Sequence, residues 1–539
     1  MKHLYCFLLS ALVCLSLSAQ NKVNGDSLAT DFRCLVNQLE ATHPDPYSGF
    51  GGKVFFHKQA FELENELRWH PHTLQEFWDK SMAFLSSLQD GHTYLFSLNP
   101  KDQAEQSFLP VGFRCIPDGL VLQTLPVPRK DLLGSMLVGI NGKNMDELLA
   151  RTASLFACEN LYNRYAVFNR NVVKKQFMQQ LFPDLKNVVS LNLRTPEGEE
   201  ATLELSFLEK AELEKTEKVS LPVWDGCPAG QMSHRFIDPE KQVMMFKLNS
   251  IMARDNFEYM YKYMKGGLYR QMEFYYQKIL KKEMPVDTLQ AIRELPSFSG
   301  TFGAILKEMK KNRSEYLVVD LRGNSGGWTP IVLATLYQLY GDKYLQTDMG
   351  TEYYRIVSPL YMNKLEVTLE EFNKRRGTDY HFGDYTFSEE GEEDMPLDTL
   401  RRRFIDGCMS SVKEELRVQD GIPVYTPKKV FVITDERTFS AAFHYAFMLW
   451  KMGATVIGVP SGQSPNTFME QTLFKLPYTG MEGSISNSMQ IFLPGKDKRA
   501  KTFWPDLMLT YDDYKKYGFD KQAEILYILD KIGEGVGKE

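Results

Sequence analysis

Residues 428–462, KKVFVITDERTFSAAFHYAFMLWKMGATVIGVPSG, contain the segment that decides the fold. Val430 to Thr434 is a run of β-branched and aromatic residues, and Ala441 to Met452 is apolar on nearly every face. This predicts a buried strand, a short loop, a buried helix and a second strand. Ser440 falls where the helix begins, beside the free N–H of Ala441, which is placed to donate to an oxyanion formed next to Ser440 Oγ. The alternative is that Ser440 or Thr438 only caps the helix.

A second motif, YLVVDLRGNSGG, occupies residues 316–327. It predicts a buried strand followed by a tight turn, because Gly323, Gly326 and Gly327 let the backbone bend and present N–H groups to whatever docks there. The same letters satisfy G-x-S-x-G between a strand and a helix, as in the nucleophile elbow of an α/β-hydrolase. An esterase with Ser325 as its nucleophile is therefore an alternative.

The predicted N-terminal helical region, residues 20–98, contains HPDPY from His43 and ends in SLQDGHTYLF, residues 87–96. Asp90 and Gly91 indicate a turn before a short strand, so His92 is expected at a loop-to-strand junction. A histidine titrates near neutral pH, which makes His92 a candidate general base. A structural hydrogen-bonding role is the alternative.

Residues 99–210 change to a β pattern, with predicted hairpins over 111–125 and 188–205. Between them, LLGSMLVGINGKNMDELL, residues 132–149, resembles a PDZ-type domain, which binds an extended peptide at a sheet edge. The long helical stretch from 145 to 182 departs from a compact PDZ domain. We expect a PDZ-like, separately folding unit; a small β domain of another kind is the alternative.

Residues 211–539 carry both motifs and are expected to form one core with an insertion near 342–421. The insertion is more charged than its flanks, which favours either a cap over a cleft or a solvated surface segment. Residues 255–284 are predicted to form one helix rich in tyrosine and phenylalanine, whose rings either pack under a neighbouring domain or line a cleft.

Composition restricts the class of protein. The chain of 539 residues is 43% hydrophobic and 24% charged, and its net charge of −6 argues against nucleic-acid binding. Residues 1–19 combine a basic start, an apolar run and small residues, as in a secretory signal peptide, and the run is too short to span a membrane. An exported protein, periplasmic or extracellular, is expected. The five remaining cysteines are widely spaced, which predicts neither a disulfide scaffold nor a metal site.

Taken in order, these motifs resemble the C-terminal processing peptidase and tricorn-core family of serine peptidases, whose fold interphotoreceptor retinoid-binding protein modules share. DGHT and HPDPY lie upstream of LVVDLRGNSGG and TFSAAF, and WPD lies downstream. The resemblance implies an α/β (α+β) fold with a βαββ-type peptidase core over 211–539. It implies acyl-enzyme hydrolysis of unfolded or C-terminal peptide segments, with no cofactor and no metal. It places the nucleophile on Ser440 and the oxyanion hole on the N–H groups of Ala441 and of Gly326 or Gly327.

Members of this family differ in their base. Gly458 to Phe468, where processing peptidases carry a lysine, contains none, and the nearest lysine downstream is Lys475. The histidine of tricorn-like members matches His92, so the resemblance implies the His-dependent branch with His92 as base. His444, one helical turn after the serine, is a spare candidate.

The acidic third member of the triad is unassigned, because residues 497–501 read DKRAK where the family has an acid before WPD. This departure keeps open a catalytically degenerate protein that binds a peptide or another ligand on the same fold. The expected partner is a protein or peptide substrate, and the oligomeric state is left open.

Overall fold

The computed structural model describes residues 22–96, 98, 107–264, 266–387 and 395–533. The predicted signal peptide lies outside the described residues. Among the described helices, none is both long and apolar enough to cross a membrane. The cysteines in the described part of the chain carry free thiols: Cys34, Cys115, Cys158, Cys227 and Cys408.

Helices and strands are interspersed along the described chain. The helices are α1 Gly25–Thr42, α2 Lys53–Trp69, α3 Leu74–Ser86, α4 Met145–Leu155, α5 Leu161–Asn171, α6 Lys175–Leu181, α7 Lys210–Lys215, α8 Arg254–Tyr263, α9 Leu268–Phe274, α10 Thr288–Glu294, α11 Phe298–Asn312, α12 Pro330–Tyr340, α13 Asp342–Leu345, α14 Pro359–Leu365, α15 Leu369–Arg376, α16 Leu397–Gly407, α17 Lys413–Gln419, α18 Ala441–Lys451, α19 Tyr511–Lys516 and α20 Ala523–Gly533. The strands are β1 Tyr94–Leu95, β2 Ser107–Phe108, β3 Gly112–Ile116, β4 Gly119–Pro126, β5 Met136–Ile140, β6 Lys143–Asn144, β7 Val188–Arg194, β8 Glu200–Ser206, β9 Leu208–Glu209, β10 Lys218–Ser220, β11 Met232–Phe236, β12 Val243–Leu248, β13 Tyr316–Asp320, β14 Glu352–Ile356, β15 Tyr385–Phe387, β16 Lys429–Thr434, β17 Thr455–Gly458, β18 Thr467–Lys475 and β19 Glu482–Ile491.

The central sheet confirms the predicted α/β fold class. Its strand order is β11-β12-β13-β16-β17, with β12, β13, β16 and β17 mutually parallel and β11 antiparallel at the edge. Every residue of β13 is buried, as a parallel strand covered by helices on both faces requires. Helices α11, α12 and α18 share one apolar core with these strands. The carboxyl ends of β13 and β16 therefore lie side by side at one edge, and both sequence motifs follow directly from them.

A second sheet, in the order β1-β19-β14-β15 with β18 paired to β19, connects the N-terminal region to the core. Strands β18 and β19 form a long hairpin that pairs from Thr467 opposite Gln490 to Lys475 opposite Glu482. Strands β14 and β15 come from the 342–421 insertion, so part of that insertion is built into a sheet. The insertion is consequently more than a solvated surface segment.

The N-terminal helices pack on this second sheet. Phe32 and Leu35 of α1 and Phe84 of α3 share an apolar cluster with Phe474 and Ile485 of the β18–β19 hairpin. These helices begin at side-chain caps, among them a capping box at the start of α3. The loop after α3 is thereby fixed against β19, and β1 continues it by pairing with β19.

The third sheet lies within 107–220, in the order β10-β4-β5-β7-β8, with β3 beside β4 and β6 beside β5. Both predicted hairpins are present, and helices α4 to α6 cover one face of the sheet. Its Arg114 contacts Glu524 of α20, which also pairs with Arg322 of the glycine-rich motif. The sheet is thus tied to the core, and its separate folding and PDZ-like peptide binding stay predictions.

The single helix predicted over 255–284 is wrong. Helix α8 ends at Tyr263, α9 begins at Leu268, and a π-helical turn spans Tyr275–Leu280. Gly267, at the start of α9, has φ +78°, which glycine adopts with no side-chain clash. Consecutive glycines at 266 and 267 therefore interrupt what the apolar spacing alone predicted to be continuous.

Candidate active site

Two loops meet at the carboxyl edge of the central sheet, and Asn324 joins them. Its side-chain amide donates to the carbonyl of Leu248 at 3.0 Å and accepts from the N–H of Gly326 at 2.9 Å, while its own carbonyl accepts from the N–H of Phe439 at 3.1 Å. Asn324 is fully buried. The residue before Ser440 is therefore held directly against the glycine-rich loop.

Ser440 has an unusual backbone conformation, φ 52° and ψ −128°. A non-glycine residue there stores about 1–3 kcal/mol of strain, and such outliers cluster at functional sites. The Ser440 N–H donates to the side-chain oxygen of Gln463, but Ser440 Oγ makes no capping bond to α18. Simple helix capping by the Ser440 hydroxyl is therefore wrong. Ser325, the rival nucleophile, is exposed and has no positive φ.

Three backbone N–H groups were candidates for the oxyanion hole. Gly326 and Ala441 lie next to Ser440, since a Cβ placed on Gly326 would stand 2.7 Å from Ser440 Cβ and 2.8 Å from the Ala441 nitrogen. Gly327 lines the same cavity as Ser440. The Gly326 N–H is already bonded to Asn324. Among the described residues, neither Ala441 nor Gly327 has a backbone acceptor for its N–H. The pair left to receive an oxyanion is Ala441 and Gly327.

His92 is positioned by a chain of hydrogen bonds that links the HPDPY and DGHT motifs. The N–H of Asp45 donates to Nδ1 of His43, so His43 Nε2 is the donor toward Asp90 Oδ2, at 3.2 Å. Asp90 in turn accepts from the backbone N–H of His92 at 2.8 Å. The carbonyl of His92 accepts from Ser484 of β19 at 2.6 Å. The His92 backbone is thus bound on both sides.

The His92 ring lies in the same cavity as Ser440. It packs against the ring of Phe439, with 4.8 Å between centroids, and both His92 and Ser440 line a cavity of about 1550 Å³. Both ring nitrogens of His92 are buried without a hydrogen-bond partner in the described part of the chain. A base with both nitrogens unengaged next to a serine is suited to proton transfer.

Glu159 is the acidic residue that the sequence did not reveal. Its Oε1 lies 3.7 Å from His92 Nδ1 and has no partner among the described residues, and its Oε2 accepts from the N–H of Ser464 at 2.9 Å. The Ser464 hydroxyl bonds the carbonyl of Lys501 at 2.7 Å and approaches that of Glu159 at 3.4 Å. Lys501 belongs to the DKRAK segment, where the family has an acid before WPD. Glu159 therefore lies close to that segment.

Burial dominates the ionisation of these groups. It lowers the pKa of His92, with the Asp90 carboxylate opposing, and it raises the pKa of Glu159 well above its usual range, with the Ser464 N–H opposing. Burial also works to raise the pKa of Asp90, but His43, His92 and Thr93 together bring it down to about 2. Asp90 is therefore an anion at neutral pH. Burial disfavours the charged forms of both His92 and Glu159.

The other candidate bases are engaged elsewhere. His444 Nδ1 lies 2.8 Å from the Thr329 hydroxyl and Nε2 lies 2.9 Å from the side-chain oxygen of Gln490, and burial lowers its pKa to about 4. Lys475 is exposed, 3.8 Å from Glu482, and does not line the cavity. His92 is therefore the candidate base with unbonded nitrogens beside Ser440.

Asp90, His92 and Glu159 also offer three ligand atoms within 4.8 Å of one another, a spacing that suits a divalent cation. Asp90 is the limiting member, because both its oxygens already accept hydrogen bonds from His43, Thr93 and the His92 backbone. Only the two other residues keep unbonded atoms for an ion. The three residues thus suit an interaction between His92 and Glu159 better than a metal site with three ligands.

Comparison with known proteins agrees with this geometry. Residues 291–482 match the model of peptidase family S41, a range that includes the glycine-rich loop and Ser440 but neither His92 nor Glu159. The match places this part of the chain, residues 291–482, in a family of serine peptidases that includes the C-terminal processing peptidases. No curated protein matches the chain in sequence.

Solved structures show the same fold over nearly the whole chain. The crystal structure of mature CPAF aligns with a TM-score of 0.57 at 13% identity, covering 93% of this chain and 97% of CPAF. The structure of mature CPAF complexed with lactacystin aligns with a TM-score of 0.53 at 14% identity, covering 93% and 98%. The likeness therefore extends beyond the matched domain to the N-terminal helices and the 107–220 sheet.

We expect Gly326→Ala to abolish most activity. The new Cβ would lie 2.8 Å from both the Ala441 nitrogen and the Phe439 carbonyl oxygen, so the turn that carries Ser440 has to move. Gly323→Ala is the matched control: Gly323 also has positive φ, +75°, but a Cβ there meets nothing within 4 Å. Each variant carries a backbone cost of about 1–2 kcal/mol. Melting temperature and peptide hydrolysis measured together separate the two; equal activity in both variants would contradict the assigned turn.

Proposed function

We propose that this serine peptidase is exported and hydrolyses unfolded polypeptides through an acyl-enzyme, with Ser440 as nucleophile and His92 as base. The observation that carries the proposal is the strained Ser440 in the same cavity as His92, whose two ring nitrogens are unbonded and whose ring packs on Phe439. The cavity is large enough for an extended peptide, and its walls come from the core, the 107–220 sheet unit and the 342–421 insertion, which would act as a cap. The segment 1–19 supports export, to the periplasm or outside the cell.

The first step transfers the Ser440 hydroxyl proton to His92 as Oγ bonds to the carbonyl carbon of the peptide. The carbonyl oxygen becomes an oxyanion, and the N–H groups of Ala441 and Gly327 are placed to donate to it. His92 then returns the proton to the amide nitrogen, the C–N bond breaks, and the amine leaves. Water repeats the sequence on the acyl-enzyme and releases the acid.

Glu159 is the third member that we propose, as a positioning residue behind His92. Its unbonded Oε1 faces Nδ1, so a modest closure from 3.7 Å makes the hydrogen bond that orients the imidazole and stabilises its cation. The Ser464 N–H fixes the other carboxylate oxygen and so limits rotation of the group. The acid comes from the loop between α4 and α5 instead of the segment before WPD.

Ser440→Ala is expected to reduce hydrolysis of an unfolded protein by at least about 10³-fold with little effect on melting temperature, because the hydroxyl is the attacking group and makes no capping bond. Ser325→Ala serves as the control and should keep most activity. A folded Ser440→Ala enzyme that still cleaves would remove Ser440 from the mechanism. Peptide binding without cleavage by the wild type would favour the degenerate binding protein instead.

The pH dependence tests the base and the positioning residue together. We expect kcat/KM to rise along one acid limb below about pH 7 and then stay flat, whereas a lysine base would keep the rate rising above about pH 8. His92→Ala should lose most activity. Burial favours neutral Glu159, but the charge of a protonated His92 favours its ionised form. Glu159→Gln cannot supply that carboxylate, so the limb should move to lower pH and the plateau should fall.

Two results would contradict the role of Glu159. One is a Glu159→Gln limb at the wild-type position, since a purely structural residue would lower the rate without moving the limb. The other is a Glu159→Asp variant no better than Glu159→Gln, because a shorter carboxylate should restore part of the charge effect. Asp90→Asn is a useful comparison for Glu159→Gln, because it removes a carboxylate that is hydrogen-bonded to His43.

A further inference from the structure

One wall of the cavity is a continuous face of α5 and the turn that follows it. The residues that line it recur at helical spacing: Asn163, Ala166, Val167, Arg170, Asn171 and Lys174. Helical residues three and four apart share a face, so Asn163, Val167 and Arg170 of α5 lie toward the cavity that holds Ser440. Lys174 follows after α5 has ended and lines the same cavity. Arg437, three residues before Ser440, lines the cavity as well.

These three cations lack carboxylate partners. Within the described ranges, the guanidinium groups of Arg170 and Arg437 make no hydrogen bond or ion pair, and Lys174 Nζ donates only to the amide oxygen of Asn171, at 2.9 Å. Burial and then the charge of Arg437 lower the pKa of Arg170, and burial and then Arg170 lower that of Lys174. Like charges held together without a counter-ion are unfavourable unless an anion joins them.

The acidic residues of the same cavity do not supply that anion. Glu470 is bound by Arg355 and lies 3.6 Å from Lys364 across the cavity. Asp90 is held by His43, and Asp79 accepts from the side chain of Gln75 at 3.0 Å. The lining therefore carries unneutralised positive charge in a protein whose net charge is −6.

Glu436 is the remaining carboxyl in the lining, and it acts on Arg170 and Arg437 from a distance without a hydrogen bond or ion pair to either. Its neighbour Asp435, outside the lining, also acts on Arg437. Burial and the adjacent Asp435 raise the pKa of Glu436, so its negative charge is disfavoured at neutral pH. It is consequently a weak counter-ion for the two arginines.

We propose that Arg170, Lys174 and Arg437 form a subsite for a carboxylate of the peptide substrate, so that the peptidase prefers acidic segments. The proposal rests on the proposed function, because it places the subsite in the same cleft as Ser440. A guanidinium binds a carboxylate through two parallel N–H donors, and two arginines with a lysine provide more donors than one carboxylate needs. The group that we place in the subsite is the side-chain carboxylate of Asp or Glu, and recognition of a C-terminal carboxylate is an outcome that the test separates from it.

The test uses the full-length enzyme and a peptide library from a proteolysed proteome, with cleavage products identified by mass spectrometry. We expect Asp or Glu to be enriched at one or two fixed positions relative to the cleaved bond. Synthetic peptides built on an enriched sequence then carry Glu or Gln at that position, each with a free or an amidated C-terminus. A preference of about tenfold to a hundredfold for the carboxylate is expected. Loss of the preference on Glu→Gln supports the subsite, whereas loss only on amidation would overturn it in favour of recognition of the chain end.

Arg170→Gln and Arg437→Gln should each reduce the ratio of kcat/KM for the acidic peptide to that for its neutral partner. Lys311→Gln on α11, an exposed cation outside the cavity lining, is the matched control and should keep the wild-type ratio. The ratio in the wild type should also fall with added salt, because the attraction is partly screened. This salt test needs no variant, so it holds even if a substitution disturbs folding.

Equal cleavage of acidic and neutral peptides by the wild type would overturn the subsite while leaving the peptidase intact. So would a wild-type ratio in both arginine variants. The absence of any Ser440-dependent cleavage would instead refute the proposed function on which the subsite rests, so the two failures are distinguishable.

Discussion

The site depends on one buried amide. Asn324 bonds the end of β12, its own glycine-rich loop and the residue before Ser440, and no water competes for these bonds because the side chain is fully buried. An unsatisfied buried amide costs about 1–3 kcal/mol, so the side chain of Asn324 fixes the glycine-rich loop against the end of β12. The backbone carbonyl of Asn324 then holds the residue before Ser440 against that loop. Two further hydrogen bonds join the same two loops. The N–H of Gly323 donates to the Asp435 carboxylate, and the Thr438 hydroxyl donates to the carbonyl of Leu321. The strain at Ser440 is sustained by this network.

His92 is held by a separate set of contacts, which anchor its loop on β19. His43, Asp90 and the backbone of His92 form a buried hydrogen-bonded chain from α1 to the loop after α3, and Ser484 and the β1 pairing anchor that loop on the second sheet. Glu159 comes from a third region of the sequence, the loop before α5. The candidate site is therefore assembled from three regions distant in sequence, and the 107–220 sheet unit contributes both Glu159 and the cavity wall that carries Arg170 and Lys174.

The sequence predicted what local chemistry determines. Continuous apolar runs identified β13, β16 and α18, and the glycine-rich turn and Ser440 follow from residues within each motif. Glu159 was missed because its neighbours, CENLYNRY, form no motif, and only the packing of Ser464 and Lys501 brings its carboxylate to His92. The helix predicted over 255–284 is wrong because the apolar spacing continues across Gly266 and Gly267, whereas the helical backbone does not. The engagement of the Gly326 N–H by Asn324 likewise required the folded backbone.

The most direct test of the account is covalent labelling of the intact enzyme with a serine-directed phosphonate, followed by peptide mapping. The account predicts a single adduct on Ser440, formed at a rate that depends on His92, because phosphonates react only with a serine whose proton a neighbouring base removes. An adduct on Ser325 would indicate the hydrolase-type elbow instead. A folded enzyme that acquires no adduct, while its peptide-binding cleft remains intact, would contradict an active Ser440–His92 pair.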